Sequence, residues 1–225
     1  MRTLDASEGY AIWAPTYSEE TAISFLEDKL VRKMTPPLGG LHLLDAGCGT
    51  GRRLRRTRAA FAVGLEPSAE MIAAGRAKDR ENEHFEIVTG DVRNMPFAAR
   101  AFDVVWCRLV LGHLAAIDQA YRELARVAQH GAKLIVTDFH PAAVAAGHCR
   151  SFRFGGEIIE LKHHVHSSED HIEAARGAGF RIEEIRDAAI GNDVRPFYQN
   201  AQKLDVYPDH LGLPVVLALS FRRVN

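Results

Sequence analysis

The stretch "LLDAGCGTGRR", Leu43 to Arg53, sets Gly47, Gly49 and Gly51 at alternate positions directly after an apolar run. Glycines at that spacing allow a backbone to approach a ligand closely, or simply to turn tightly. Two phosphate-binding readings fail on the neighbouring residues. The loop of nucleotide triphosphatases needs Lys and then Ser or Thr after its last glycine, and Arg52-Arg53 stands there instead. The dinucleotide fingerprint has its third glycine three positions after the second, a place held here by Arg52. Asp45, two residues before Gly47, would repel an anion and suit a cationic ligand group. Glu66 in "GLEPS" and Asp91 in "VTGDVR" also end apolar runs. Each alone is an ordinary loop carboxylate; three at successive strand ends point to one ligand.

Proton chemistry would fall to histidine. His113, in "RLVLGHL", and His140, in "TDFHP", each follow an apolar run. A neutral imidazole there could take a proton from a phenol, enol or hydroxyl, or could merely bond loop backbone. "LKHHVHSSEDH" invites a metal reading. As a strand it would turn His164 and His166 to one face and His163 to the other, so no metal is expected. His166 is instead a candidate for lining an acceptor pocket. "GRRLRRTR" carries five arginines in a row of eight residues. They read as a short surface helix or as a patch for an anionic small molecule.

These side chains need a scaffold, and the chain alternates in the manner that builds one. "LHLLDA", "AFAVGLE", "HFEIVTGD", "AFDVVWC" and "AKLIVTDF" read as strands. Between them lie helical stretches: one from about Gly51, "SAEMIAAGRAK" with Ser68 as cap, and "AAIDQAYRELARVA", whose Ile117, Tyr121, Leu124 and Ala128 share a face. Strand–helix alternation predicts a mostly parallel sheet with helices on both faces. Ligands of such sheets bind beyond the strands' C-terminal ends. Ahead of this unit, Ser18 to Pro37 reads as a helix capped by Ser18 and stopped by Pro36 and Pro37. Behind it come a strand or hairpin arm in "GGEIIELKHHVH", a helix with a Ser167–Asp170 capping box, and two strands, "RIEEIRDAAI" and "PVVLALSFRR". Residues 191–213 read as a long polar segment without regular structure.

With 225 residues, 47% of them hydrophobic, the chain can bury one sizeable core. A net charge of −1 speaks against nucleic acid as a partner. No apolar stretch is long enough to span a membrane, and the N-terminus lacks a signal peptide's apolar segment. The three cysteines, Cys48, Cys107 and Cys149, are widely spaced, which suits a reducing cytoplasm.

"DAGCGTG", "GLEPSAEMI" and "GDVRNMPFAARAFDVVWC" together resemble the motifs of the class I S-adenosylmethionine-dependent methyltransferases. The nearest subset is the small-molecule enzymes related to the quinone-biosynthesis methyltransferases. The ligand would then carry an ammonium and a sulfonium and no phosphate, as Asp45 requires. The resemblance implies an α/β fold: a Rossmann-like, doubly wound, mostly parallel seven-stranded sheet with an antiparallel last strand and an N-terminal helical lid. It implies one domain over 1–225, divided into a lid region 1–38, a cofactor-binding core 41–141 and an acceptor-side segment 142–225. Glu66 would accept from both ribose hydroxyls. Pro67 and Met71 would flank the adenine, and Asp91 and Val92 would meet its amino group and a ring nitrogen. Cys48, Gly51, Cys107 and Arg108 would complete the cofactor site. "EGYAIWAPTYSEE" resembles that subset's aromatic lid, with Tyr17 over the cofactor and Tyr10 and Trp13 toward the acceptor; packing of the N-terminal helix onto the sheet is the other reading. Expected are a small-molecule acceptor, O- or C-methylation in preference to N, and a monomer or homodimer. A protein or RNA acceptor, or a non-catalytic cofactor-binding subunit, is the alternative.

Overall fold

The computed structural model describes residues 2–17, 19–77 and 84–224. In chain order the elements are β1 (Arg2–Leu4), α1 (Ala6–Trp13), α2 (Ala22–Met34), β2 (His42–Ala46), β3 (Phe61–Glu66), α3 (Ala69–Arg76), β4 (Glu86–Thr89), β5 (Phe102–Arg108) and α4 (Asp118–Val127). They continue with β6 (Ala128–Phe139), α5 (Pro141–Ala145), β7 (Ser151–Phe154), β8 (Glu157–Leu161), α6 (Ser168–Gly177), β9 (Phe180–Ala189), α7 (Arg195–Asn200), α8 (Tyr207–His210) and β10 (Pro214–Arg223).

Seven strands form the main sheet in the order β4-β3-β2-β5-β6-β10-β9. The pairs from β4 through β6 are all parallel. Only β10 runs against its neighbours β6 and β9. The chain builds outward from β2 in one direction through β3 and β4, then returns to lay β5 and β6 on the other side. That reversal opens a crevice at the C-terminal ends of β2 and β5, where a ligand of an open parallel sheet binds.

Apolar layers fix the sheet between helices. On one face Tyr121, Leu124 and Ala125 of α4 and Ala174 and Ala175 of α6 pack against Leu44, Val105, Leu134 and Leu219. On the other, Leu26, Leu30, Val31 and Met34 of α2 cover Leu43, Val104 and Ile135. The expected stripe of Ile117, Tyr121, Leu124 and Ala128 is buried throughout, although Ile117 precedes α4 and Ala128 opens β6.

Four local expectations differ from the structure. α2 begins at Ala22 with a Thr21–Ser24 capping box, while the expected cap, Ser18, lies outside the described residues. No α-helix follows Gly51; a single 3-10 turn, Leu54–Arg56, connects to β3. Residues 191–213 are structured, with a 3-10 turn at Asn192–Val194 followed by α7 and α8, and they bury Val194 and Tyr207 against the α2 side of the core. A second sheet, β1-β8-β7, was not anticipated, and residues 162–167 beyond it are irregular, so the two-faced strand reading of His163, His164 and His166 fails. β1 is too short to be read from sequence pattern; it exists because it pairs with β8. The expected capping box at Ser167 and Asp170 forms, as does the cap of α3 by Ser68. Among the described residues no helix is long and apolar enough to cross a membrane.

Candidate functional site

β2 ends in Asp45 and Ala46, and the chain then turns through the glycines under the end of β3. The amides of Gly47 and Cys48 both donate to the Leu65 carbonyl, at 2.7 and 2.9 Å. Gly47, Gly49 and Gly51 have φ of 85°, 60° and 70°, the left-handed region that side-chain-bearing residues resist. A Cβ on Gly47 would also stand 2.3 Å from Val110, and one on Gly51 would stand 2.9 Å from Phe85 and Ile87. Glu66, at the tip of β3, accepts from the amides of Gly49 (2.9 Å) and Ser68 (3.0 Å), one on each oxygen. Burial raises its pKa against the pull of those amides. The two strand tips are therefore tied together, with the third glycine spent on packing and the second closest to Glu66.

Asp45 is 2% exposed, and its Oδ1 has no hydrogen-bond partner. Burial pushes its pKa up to about 7, with Arg108 pulling against that rise. Thr50 Oγ1, in the same loop, is likewise buried without a partner. Buried polar atoms are normally satisfied, so orphans at a strand tip in a ligand crevice mark a place for a ligand. An ammonium group fits Asp45 on charge, and hydroxyl groups fit the remaining lone pairs of Glu66.

A buried ionic platform supports this loop from the α2 side. Arg108 at the end of β5 donates from Nε and Nη2 to Glu27 at 2.8 and 2.6 Å, and from Nη2 to Asp28 at 3.1 Å. Thr137 Oγ1 donates to Glu27 and accepts from the Leu109 amide, which fixes the turn after β5. Arg53 pairs with Glu20 and Asp28, and Arg55 donates to the carbonyls of Thr50 and Gly75. Two of the clustered arginines thus stitch α2, α3 and the platform to the loop, and the expected surface helix is not there.

The aromatics of α1 and the turn after it form a cluster. Tyr10 and Trp13 stack at 5.9 Å, Tyr17 meets Trp13 edge-on at 5.1 Å, and Trp13 stacks on Phe152 of β7 at 4.8 Å. Tyr17 also reaches the glycine loop: a Cβ on Gly49 would lie 3.4 Å from its ring and 3.1 Å from Met71. Below the cluster is a cavity of about 520 Å³ whose lining includes Tyr10, Trp13, Tyr17, Leu109, Phe139 and Arg150. That volume lies within the usual range for small-molecule pockets. The Tyr10 hydroxyl is 3.0 Å from His113 Nε2, and Arg150 Nη1 contacts Tyr10, the Leu109 carbonyl and His113. Burial and then Arg150 lower the His113 pKa to about 3. The expected base near pH 7 is thus a neutral imidazole with very little proton affinity. Burial raises the Tyr10 pKa, and Arg150 only partly offsets it, so the phenol keeps its proton.

Several other expected residues are placed differently. His140 is the N-cap of α5, its Nδ1 accepting from the Ala142 amide at 3.1 Å, and Asp187 lies 3.7 Å from its Nε2. It is not among the cavity's lining residues, and its Nδ1 is taken by the cap, which argues against its reading as a base. His166 bonds the Leu114 carbonyl at 2.9 Å and is 9% exposed, away from the cavity. Cys107 is fully buried in the core, and the Cys48 side chain packs under the loop against Gly64 and Leu54. Arg108 directs its guanidinium to Glu27 rather than to the crevice. Asp91 is half-exposed and held by Arg93, at 2.9 and 2.6 Å, a surface pair of small worth that a ligand could displace. Val92 beside it is buried, and Pro67 is exposed after Glu66. Among the described residues no group of three or more His, Cys, Asp and Glu side chains could hold a metal ion.

The residues that sequence reasoning missed are Arg150, Glu27, Thr137 and a buried polar group around Asp138. Asp138 is 1% exposed, with His163 and His171 at 3.5 and 3.7 Å, and His171 bonds Tyr121 at 3.0 Å. No local motif announces any of them; they meet across the sheet.

A family profile described as "Methyltransferase domain" matches residues 44–136. The O-methyltransferase cnsE of Penicillium expansum is 26% identical over 198 residues, 82% of this chain and 68% of that protein. A malonyl-[acyl-carrier protein] O-methyltransferase of Pectobacterium atrosepticum is 34% identical over 100 residues, 44% of this chain. The match spans only 38% of that relative's length. In fold, the chain is similar to an S-adenosylmethionine-dependent methyltransferase from Mesorhizobium loti, with a TM-score of 0.68 at 21% identity, covering 88% of this chain and 98% of the other.

Proposed function

We propose that this chain is an S-adenosylmethionine-dependent methyltransferase, a reading supported by the family match over residues 44–136, and that it methylates a small organic molecule held beneath the α1 aromatics. The observation that carries this is the cavity of about 520 Å³, whose lining includes Tyr10, Trp13, Phe139 and Phe152 and which adjoins the glycine loop through Tyr17. A concave pocket of that size suits a metabolite better than a protein or RNA surface. S-adenosylmethionine, when bound, supplies a methyl carbon on a positively charged sulfur.

The chain's own contribution is position and enclosure. Asp45, Gly47 and Gly49 hold the amino-acid end of the cofactor, supported by the orphaned Asp45 Oδ1. Glu66 takes the ribose hydroxyls, and Met71, Asp91 and Val92 take the adenine. Tyr10, Trp13 and Tyr17 close the pocket; their faces favour a cationic sulfur and exclude water. The names of the two relatives given above speak for oxygen as the acceptor atom. We also assign the chain to the cytoplasm, with its three free cysteines as support, and take it to be a monomer or homodimer. The test is transfer of label from S-adenosylmethionine to a panel of small molecules, to bulk protein and to RNA. Label confined to small molecules is expected; label confined to protein or RNA refutes the reading.

A further inference from the structure

We propose that the acceptor is a planar organic anion, a carboxylate or an ionised phenol or enol, and that Arg150 receives it. This deepens the reading above and rests on it.

Two arginines of the described residues are buried, Arg108 and Arg150, at 9% and 8% exposure. They are treated oppositely. Arg108 has two carboxylates at hydrogen-bond distance. Arg150 has none among the described residues; its contacts are the Tyr10 hydroxyl, the Leu109 carbonyl and His113 Nε2, all made through Nη1. Each of these partners is neutral. An arginine cannot shed its proton to escape burial, so a buried guanidinium without a counter-charge is costly and is retained where an anion comes to it.

Part of the fork is unused. Arg150 lines the cavity, and its Nε and Nη2 make no hydrogen bond among the described residues. Its Nη1 contacts and the Phe139 ring, 5.1 Å from its Cζ, hold the group in place. A fixed fork with free N–H groups is the geometry that takes a carboxylate or phenolate oxygen. Asp138, the carboxylate that acts on Arg150 from a distance, accepts from the Phe139 amide and has His163 and His171 at 3.5 and 3.7 Å, and it makes no ion pair with Arg150. Glu19 also lines the cavity, but from its exposed rim. Tyr10, Trp13, Phe139 and Phe152 supply flat apolar walls, which favour a planar body for the anion.

An anionic acceptor also removes the need for a base. Its oxygen lone pair forms the O–C bond while the C–S pair goes to sulfur, and no proton moves. The product is a neutral ester or ether that no longer pairs with Arg150, so the same residue favours substrate over product. This accords with a His113 that stays neutral and a Tyr10 that stays protonated.

The test is calorimetric titration with matched probes, with S-adenosylhomocysteine present and absent. The pairs are benzoate against benzamide, phenylacetate against phenylacetamide, and 4-nitrophenolate against 4-nitroanisole. At least one anion should bind tenfold or more tightly than its neutral counterpart. Arg150→Gln should erase that preference to within twofold, and Arg150→Lys should keep part of it. Both variants should bind S-adenosylhomocysteine within threefold of the parent, which shows that they fold. Wild-type protein that binds S-adenosylhomocysteine but shows no anion preference, or a preference that survives Arg150→Gln, overturns this proposal alone. Wild-type protein that does not bind S-adenosylhomocysteine overturns the methyltransferase reading and this proposal with it.

Discussion

Lowering the pH from 7.4 to 6.0 should weaken S-adenosylhomocysteine binding through a single carboxylate, Asp45. In the free protein burial holds its pKa at about 7, and its Oδ1 has no partner. An ammonium placed beside it favours the ionised form and draws the pKa back toward the ordinary range, so binding releases a proton and acid opposes it. If the bound form titrates near 4, the affinity factor is about 11 at pH 6.0 and about 1.4 at pH 7.4, a loss of about eightfold or ~1.2 kcal/mol. Roughly 0.9 proton should be released per ligand at pH 6.0 on the same arithmetic. The ligand's own α-amino group, titrating near ~7.8, stays mostly charged across this window. Calorimetry at both pH values, in buffers of different ionisation enthalpy, measures both quantities. Asp45→Asn should abolish the slope and the proton release while weakening binding at pH 7.4. The sign for stability is opposite. A carboxyl whose folded pKa is raised costs stability as pH climbs through the unfolded and then the folded value, so Asp45→Asn should stabilise the free protein at pH 8, by at most about 4 kcal/mol. Affinity that is flat from pH 7.4 to 6.0 with no proton release, or an equal slope in Asp45→Asn, would refute the assignment.

Other substitutions separate site from scaffold. Arg108→Met leaves Glu27 buried and unpaired and should cost about 3–5 kcal/mol in urea unfolding, whereas Arg108→Met with Glu27→Leu should cost much less than that single change. Gly47→Ala must hold φ near 85° and meets Val110, so a stability loss of about 2–4 kcal/mol and loss of S-adenosylhomocysteine binding are expected by urea unfolding and calorimetry. His140→Ala removes the α5 cap and should lower stability by about 1 kcal/mol with the labelled-methyl transfer rate unchanged within twofold; a tenfold fall would restore His140 as a base.

Much of this fold is legible in the sequence because its signals are local. The apolar runs ending in Asp45, Glu66 and Arg108 are strands because each is buried on both faces of a parallel sheet, and continuous burial leaves a continuous apolar string. The glycine loop is legible because left-handed φ at Gly47, Gly49 and Gly51 excludes most other residues. Segments stabilised by tertiary contact are not legible. β1 exists only through β8, and α7 and α8 are short and polar, held by burial of Val194 and Tyr207. The same distinction runs through the site. Acids at strand tips announce themselves by position, but Arg150 and Glu27 act through partners 140 and 81 residues away, Tyr10 and Arg108, which no spacing rule can pair. A histidine beside an apolar run looks the same in sequence whether it faces a ligand or, like His140, caps a helix.

The most direct measurement is a crystal structure of the chain with S-adenosylhomocysteine. The account predicts the ligand laid along Gly47–Gly51, both ribose hydroxyls on the Glu66 carboxylate, the amino group toward Asp45, and the sulfur opening onto the cavity beneath Trp13. Ligand density elsewhere, or an unchanged loop with Asp45 and Glu66 untouched at saturating ligand, would contradict it.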